Sequence, residues 1–151
     1  MYWITENLGT ASIREEDNDA DEVVFVTDLN DGWNPPELIY LRAKQILVPV
    51  YQKKKVIIKC VAGISRSNGM ATLILAFLKN ISWDDAYTIT RKKVPIAQVN
   101  PCFRECCVKA LRLMKERLTK RCPYCGAPIE FWESACSRCW LENRKIYKMR
   151  R

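Results

Sequence analysis

Val56-Ile57-Ile58-Lys59-Cys60-Val61-Ala62-Gly63-Ile64-Ser65-Arg66-Ser67 begins as an apolar run and ends on a cation and a hydroxyl. Val56-Ile57-Ile58 reads as a short buried strand, and residues 70–78 beyond it have the composition and length of a buried helix. A strand, a tight loop and a helix start, opened by Cys60 and closed by Arg66, form an anion cradle. Loop N–H groups and the positive helix end converge where a phosphate can sit, so Val61, Ala62, Gly63, Ile64, Ser65 and Arg66 are the candidate phosphate-binding residues. The same field favours a thiolate, which makes Cys60 a candidate nucleophile. Arg66 offers a planar fork for two phosphate oxygens. Gly63 permits a backbone conformation closed to residues with a Cβ. Ser67 sets a hydroxyl near the sulfur, where it helps the thiolate leave when a phosphocysteine is hydrolysed.

A plain strand-to-helix turn holding a buried cysteine would not need strand, Gly, Arg, Ser and helix to agree. At these residues the chain resembles the cysteine-dependent protein tyrosine phosphatases, in particular the small dual-specificity branch. That family's signature is His-Cys, five residues, then Arg-Ser or Arg-Thr, and Cys60 to Ser67 matches it closely. Lys59 departs from it, standing where the family has His. A charged Lys accepts no hydrogen bond, so it cannot copy the network that His supplies. Strand alternation also points Lys59 and Cys60 to opposite faces.

At 151 residues the chain is long enough for one well-cored domain and a small appendage. No run approaches the roughly eighteen apolar residues of a membrane span. Residues 1–6 lack the basic and apolar regions of a secretory signal. Eight cysteines without such a signal point to thiols and metal ligands in a reducing cytoplasm. The chain has no histidine, which removes the commonest general base and leaves thiolates or carboxylates as metal ligands. Net charge is +8, unevenly spread: residues 1–40 carry −9 and the remainder +17, a balance that attracts anionic partners.

Residues 2–11 read as an opening strand, and 14–22 as an acidic, solvated loop. Residues 23–27, rich in β-branched side chains, read as the next strand. Asp28 to Pro36 holds Asp-Gly and Asn-Pro and is a loop leading into a helix over 37–51, with Leu38, Leu41, Ile46 and Leu47 near one face. The resemblance implies that the general acid is an Asp on this loop. Asp31 fits the position, Asp28 is the alternative, and both also fit as turn or capping residues. The family has another strand pair and helix ahead of this loop; their absence implies a reduced domain with an open cleft.

Ser82 caps a helix that runs to about Lys93, with Asp84 and Asp85 favourable in its first turn. A last helix is expected over residues 102 to about 120. The family layout implies an Asn ahead of it that steadies the phosphate loop; Asn100 is the candidate and also suits a helix cap before Pro101. Cys102, Cys106 and Cys107 lie at this helix start, where packing outweighs redox work.

Cys122-Pro123-Tyr124-Cys125-Gly126 and Cys136-Ser137-Arg138-Cys139 are two Cys-x2-Cys pairs separated by ten residues, the spacing of a four-thiolate zinc site. The segment resembles a zinc ribbon and is too small to fold on a core of its own, so Zn2+ supplies its folding energy. Ile129, Phe131, Trp132 and Trp140 are expected to pack on the larger domain, and the basic segment 144–151 to meet acidic partners.

These readings give an α/β chain with a short, mostly parallel central sheet flanked by helices. Residues 1–119 form a reduced phosphatase-like domain and 120–151 a zinc-ribbon segment with a basic tail. The implied activity is hydrolysis of phosphotyrosine and/or phosphoserine/threonine in proteins through a phosphocysteine, with structural zinc and no catalytic cofactor. A polyanionic inositol lipid would call for cations in the loop, and Val61, Ala62 and Ile64 supply none. The alternatives are a phosphate-binding pseudophosphatase and a nucleic-acid-associated protein acting on RNA 5′ phosphates. The ribbon itself suits a nucleic-acid or protein partner.

Overall fold

The computed structural model describes residues 1–16 and 19–142, so the basic segment 144–151 lies outside the described residues. The chain opens with β1 (Tyr2–Trp3) and β2 (Leu8–Ser12), followed by β3 (Glu22–Phe25), α1 (Pro36–Tyr51) and β4 (Val56–Cys60). Then come α2 (Arg66–Lys79), α3 (Trp83–Lys93), α4 (Pro101–Arg117), β5 (Lys120–Arg121) and β6 (Pro128–Ile129). The main sheet has the order β1-β2-β4-β3. β4 is parallel to both neighbours, and only β1 runs antiparallel.

β4 is the central strand because all five of its residues are buried. Val56, Ile58 and Cys60 belong to the main core with the buried faces of the helices, while Ile57 meets Trp3 and Gly9 of the hairpin. A Cβ on Gly9 would lie 2.7 Å from Ile57 Cδ1, so only glycine lets β1 and β2 close over that side chain. α2, apolar almost all round, is buried from Ser67 to Ala76 and packs on β2, β4, α1, α3 and α4.

Three expectations about elements change. The opening strand over 2–11 is a hairpin, because the N–H groups of Ile4 and Thr5 both turn back to Leu8 O. The buried stripe of α1 is Ile39, Tyr40, Ala43, Ile46, Leu47 and Val50, whereas Leu38 and Leu41 face solvent. The last helix stops at Arg117 rather than near 120, since Lys120 and Arg121 are drawn into pairing with Ile129 and Pro128. Ser82 does cap α3, its hydroxyl accepting from Asp85 N–H at 3.1 Å.

Candidate active site and four-cysteine centre

Cys60 is the last residue of β4 and Arg66 the first of α2, so the sheet aims the thiol and the helix aims the guanidinium at the loop between them. The Cys60 thiol is 2% exposed and donates to Ser67 Oγ at 3.2 Å. Gly63 has φ +71°, and a Cβ there would lie 2.7 Å from Ser12 N. Both backbone freedom and close approach to the end of β2 therefore require glycine at this position.

Asn68, in the first turn of α2, is fully buried and steadies the loop; nothing in the sequence singled it out. Its amide donates to Gly63 O and Ile64 O, each at 3.0 Å, and its oxygen accepts from the Thr10 hydroxyl at 2.8 Å. A trans peptide points its N–H opposite to its C=O. Anchoring those two carbonyls on Asn68 turns the N–H groups of Ile64 and Ser65 the other way, which is what an anion cradle needs. From the far side, Gln98 N–H donates to Ile64 O at 3.0 Å.

The Asn100 side chain does not hold the loop. Its Oδ1 caps α4, accepting from Cys102 N–H at 2.9 Å and Phe103 N–H at 3.4 Å. The contact with the loop is made instead by its backbone N–H, which donates to Ser65 Oγ at 2.9 Å. The capping reading holds, and the link to the loop survives through a different atom.

Between β3 and α1 the chain folds into a tight loop. Buried Asn34 accepts from Asn30 N–H at 2.9 Å, and its amide returns to Asn30 O at 2.9 Å and Gly32 O at 3.3 Å. Asp31 lies inside this staple, and its Oδ1 accepts from the Ser65 hydroxyl at 2.5 Å. Asp28, the alternative acid, is turned away into an ion pair with Arg42 of α1. Arg66 reaches the same loop, donating to Leu29 O at 2.8 Å and Thr27 O at 3.1 Å. Cradle and loop are thus joined at two points. Around them Val61, Ile64 and Trp33 are exposed apolar side chains.

Lys59 is 4% exposed and its Nζ donates to Glu15 O at 2.6 Å. It does not share the core face of Val56, Ile58 and Cys60, as strand alternation requires. Its ammonium is therefore engaged with the loop after β2. Cys106 and Cys107 are core residues, burial pushing the Cys107 thiol well above its ordinary range, while Cys102 is exposed.

At the other end of the chain the sulfurs of Cys122, Cys125, Cys136 and Cys139 all lie within 4.8 Å of one another. Cys125 and Cys136 Sγ are 3.7 Å apart, close to the roughly 3.8 Å edge of a tetrahedron whose Zn–S bonds are about 2.3 Å. Gly126, at φ +81°, turns the first knuckle so that its N–H reaches Cys122 O at 2.8 Å. Burial raises the Cys122 thiol, but the backbone N–H groups of Cys136, Cys125 and Tyr124 outweigh it and bring it down to about 6. A soft, four-sulfur donor set of this shape fits a zinc ion.

This segment is fastened to α1. Val48 shares a small core with Ala127, Ile129 and the cysteines. The Tyr40 hydroxyl donates to Glu130, Lys44 pairs with Glu133 at 2.5 Å, and Arg138 pairs with Glu22 of β3 at 2.7 Å. Of the aromatic anchors expected from sequence, Phe131, Trp132 and Trp140 are exposed, at 78%, 68% and 46%. Only Ile129 is buried. The turn closed by Glu133 N–H to Glu130 O leaves residues 131 and 132 largely exposed; Trp132 still meets α1 through the Lys44 ammonium 5.6 Å from its ring centroid, and the polar pairs with α1 add to the anchoring.

No protein-family model matches the sequence, and neither does any curated protein. Among solved structures the chain is similar to human DUSP28, with a TM-score of 0.67 at 14% identity over 77% of this chain and 99% of that one. It is similar to Tk-PTP in the active form, with a TM-score of 0.61 at 19% identity over 73% and 95%. A leucine rich repeat and phosphatase domain containing protein from Entamoeba histolytica gives 0.57 at 14% over 66% and 76%. At such identities the likeness is one of fold: this chain has the fold of the dual specificity phosphatases.

Proposed function

We propose that the chain is a cysteine-dependent protein phosphatase acting on phosphotyrosine and/or phosphoserine/threonine. The observation that carries the reading is the junction of cradle and acid loop. Asp31 bonds to Ser65 of the cradle, and Arg66 of the cradle bonds to Thr27 and Leu29 of the loop. On this reading Cys60 is the nucleophile, Arg66 the anion-binding group and Asp31 the acid, all carried by the loop that Cys60 opens or by the segment bonded to it. The fold shared with known phosphatases supports the same reading.

In this mechanism a phosphate monoester binds to the loop N–H groups, and Arg66 leaves the two carbonyls to grip two phosphate oxygens. The Cys60 sulfur, reacting as the thiolate once its proton has passed to solvent, forms an S–P bond as the P–O bond to the leaving group breaks. Asp31 gives its proton to the departing oxygen, because an alkoxide or phenoxide leaves poorly. A water then attacks phosphorus, Asp31 takes up its proton, and Ser67 donates to the sulfur as the S–P bond breaks. Val61, Ala62 and Ile64 add no cation, which favours a phosphoprotein over a polyanionic lipid.

The division proposed with it is a catalytic domain over 1–119 and a zinc-holding segment over 120–151. Cys122, Cys125, Cys136 and Cys139 would hold the ion, which supplies structural stability and takes no part in phosphoryl transfer.

The deciding experiment is hydrolysis of an aryl phosphate by wild type and Cys60→Ser. Turnover is expected in the wild type and abolished in Cys60→Ser, which should still bind tungstate because the cradle and Arg66 remain. Activity near the wild-type level in Cys60→Ser would overturn the cysteine mechanism. Tungstate binding without turnover in the wild type would favour a phosphate-binding pseudophosphatase, the reading that Lys59 in place of His keeps open.

A further inference from the structure

We propose that Ser65 is the positioning residue for the general acid, selecting which oxygen of Asp31 carries the transferable proton; this role rests on the phosphatase reading above. Asp31 is exposed, on a turn beside Gly32, where a Cβ would meet nothing within 4 Å. Nothing in that turn itself confines the carboxylate. What meets it is the Ser65 hydroxyl, at 2.5 Å from Oδ1.

A second hydrogen bond meets the same hydroxyl. The backbone N–H of Asn100 can only donate, and it occupies one of the two acceptor positions of Ser65 Oγ at 2.9 Å. That favours the arrangement in which the hydroxyl points its hydrogen at Asp31 Oδ1. Ser65 is 9% exposed, so water has little access to compete for it. The relay thus runs from the start of α4 through the cradle to the acid. It keeps Oδ1 as an acceptor and leaves Oδ2 as the oxygen that carries the proton in the protonated acid.

During transfer, the proton on Oδ2 passes to the leaving oxygen as that oxygen takes the P–O electron pair and the Cys60 sulfur forms its bond to phosphorus. Oδ1 stays bound to Ser65 throughout. The carboxylate is then already oriented to accept a proton from the attacking water. A hydroxyl that only shaped the loop would affect all esters alike. One that aims the acid affects those whose leaving oxygen needs a proton.

The test is kcat/KM for a series of aryl phosphates, from phenyl to dinitrophenyl, in wild type, Ser65→Ala, Ser65→Thr and Asp31→Asn. Ser65→Ala should lose about 10- to 100-fold on phenyl phosphate and little on dinitrophenyl phosphate, part of the 10²–10⁴-fold a general acid contributes. Any loss of anion binding that comes from breaking the Asn100 link should lower tungstate affinity and fall equally on every ester of the series. Ser65→Thr, which keeps the hydroxyl, should keep the wild-type leaving-group dependence. In the Asp31→Asn background Ser65→Ala should add no further leaving-group-dependent loss. Equal losses across the series, or a selective loss that persists without Asp31, would overturn the role of Ser65 and leave the phosphatase reading standing. If Ser65→Ala does not fold, Ser65→Cys, a weaker donor of similar shape, must show the selective loss. A wild type that hydrolyses no ester of the series would overturn the phosphatase reading and this role with it.

Discussion

Asn68 uses both amide hydrogens and its oxygen on loop and sheet, and water reaches none of them. Asn68→Ala would strand Gly63 O and the Thr10 hydroxyl and leave Ile64 O to Gln98 N–H alone. We expect about 1–3 kcal/mol of lost stability in urea unfolding, together with tungstate binding weakened by about tenfold or more. Unchanged tungstate affinity would mean that the loop holds its shape unaided. Lys59 is adjacent to Cys60, yet its ammonium donates to Glu15 O on another face. Lys59→Met should therefore keep turnover within about tenfold of wild type, and inactivity of a folded Lys59→Met would give this lysine a catalytic duty. Cys60, Gly63, Arg66 and Ser67 were legible in the sequence because their chemistry is local, written in one loop. Asn68 was not: it lies just ahead of the apolar run at 70–78 and just past the loop, and its partner Thr10 lies 58 residues away. Asn100 was half legible, since spacing shows a cap but cannot show that its backbone N–H carries the link to Ser65.

In the proposed mechanism, the loop between β3 and α1 is the element that distinguishes two aspartates. Pairing with Arg42 removes Asp28 from the cradle, while the Asn34 staple presents Asp31 to it. Asp31→Asn should slow phenyl phosphate hydrolysis by about 10²-fold or more, and Asp28→Asn by only a few-fold. Reversed magnitudes would exchange their roles. The sequence placed this loop correctly through Asp-Gly and Asn-Pro, and it placed β4 and α2 through their continuous apolar runs. It blurred the opening hairpin, whose turn at 4–7 carries neither Gly nor Pro, and it ran α4 too far. The halt at Arg117 comes from pairing with a strand that the four-cysteine knuckle brings back, a tertiary effect absent from local propensity.

On the scale of the whole molecule, the four-cysteine segment and α1 depend on each other. Tyr40 is 1% exposed and Val48 5%, and part of their cover is the segment that carries Glu130 and Cys136. None of these partners could be read from the sequence, because Tyr40 and Glu130 are 90 positions apart and the exposed aromatics looked like better anchors. The Tyr40 hydroxyl holds the Glu130 carboxyl below its ordinary value of 4.5 against the opposing effect of burial, with Lys44 adding to it. A depressed folded-state value contributes stability that is present above the unfolded value and lost as pH falls through the folded one. Acid also protonates thiolates and releases a bound metal. Both effects make this segment the acid-labile part of the molecule, loosening below about pH 4.5.

Metal removal at neutral pH separates the two contributions, because Glu130 then keeps its charge and its partners. The protein as purified should carry about one zinc per chain, measured by elemental analysis. After chelation a protease should cut within residues 120–142 before it cuts 1–119, since without an ion the segment is left with a core of only a few apolar residues. Thermal unfolding should then show an early step, and the remaining domain should melt a few degrees lower because Val48 and Tyr40 lose cover. Turnover of a good leaving group should largely survive, as Gly63, Ile64 and Ser65 of the loop take their support from Asn68, Gln98 and Asn100 rather than from the cysteine centre. Poorer leaving groups should suffer more, since α1 both carries the segment and holds the acid loop through Arg42 and Asp28. A single unfolding step at the same temperature with and without metal would show that the segment is held by α1 alone and that the four sulfurs contribute nothing to its folding.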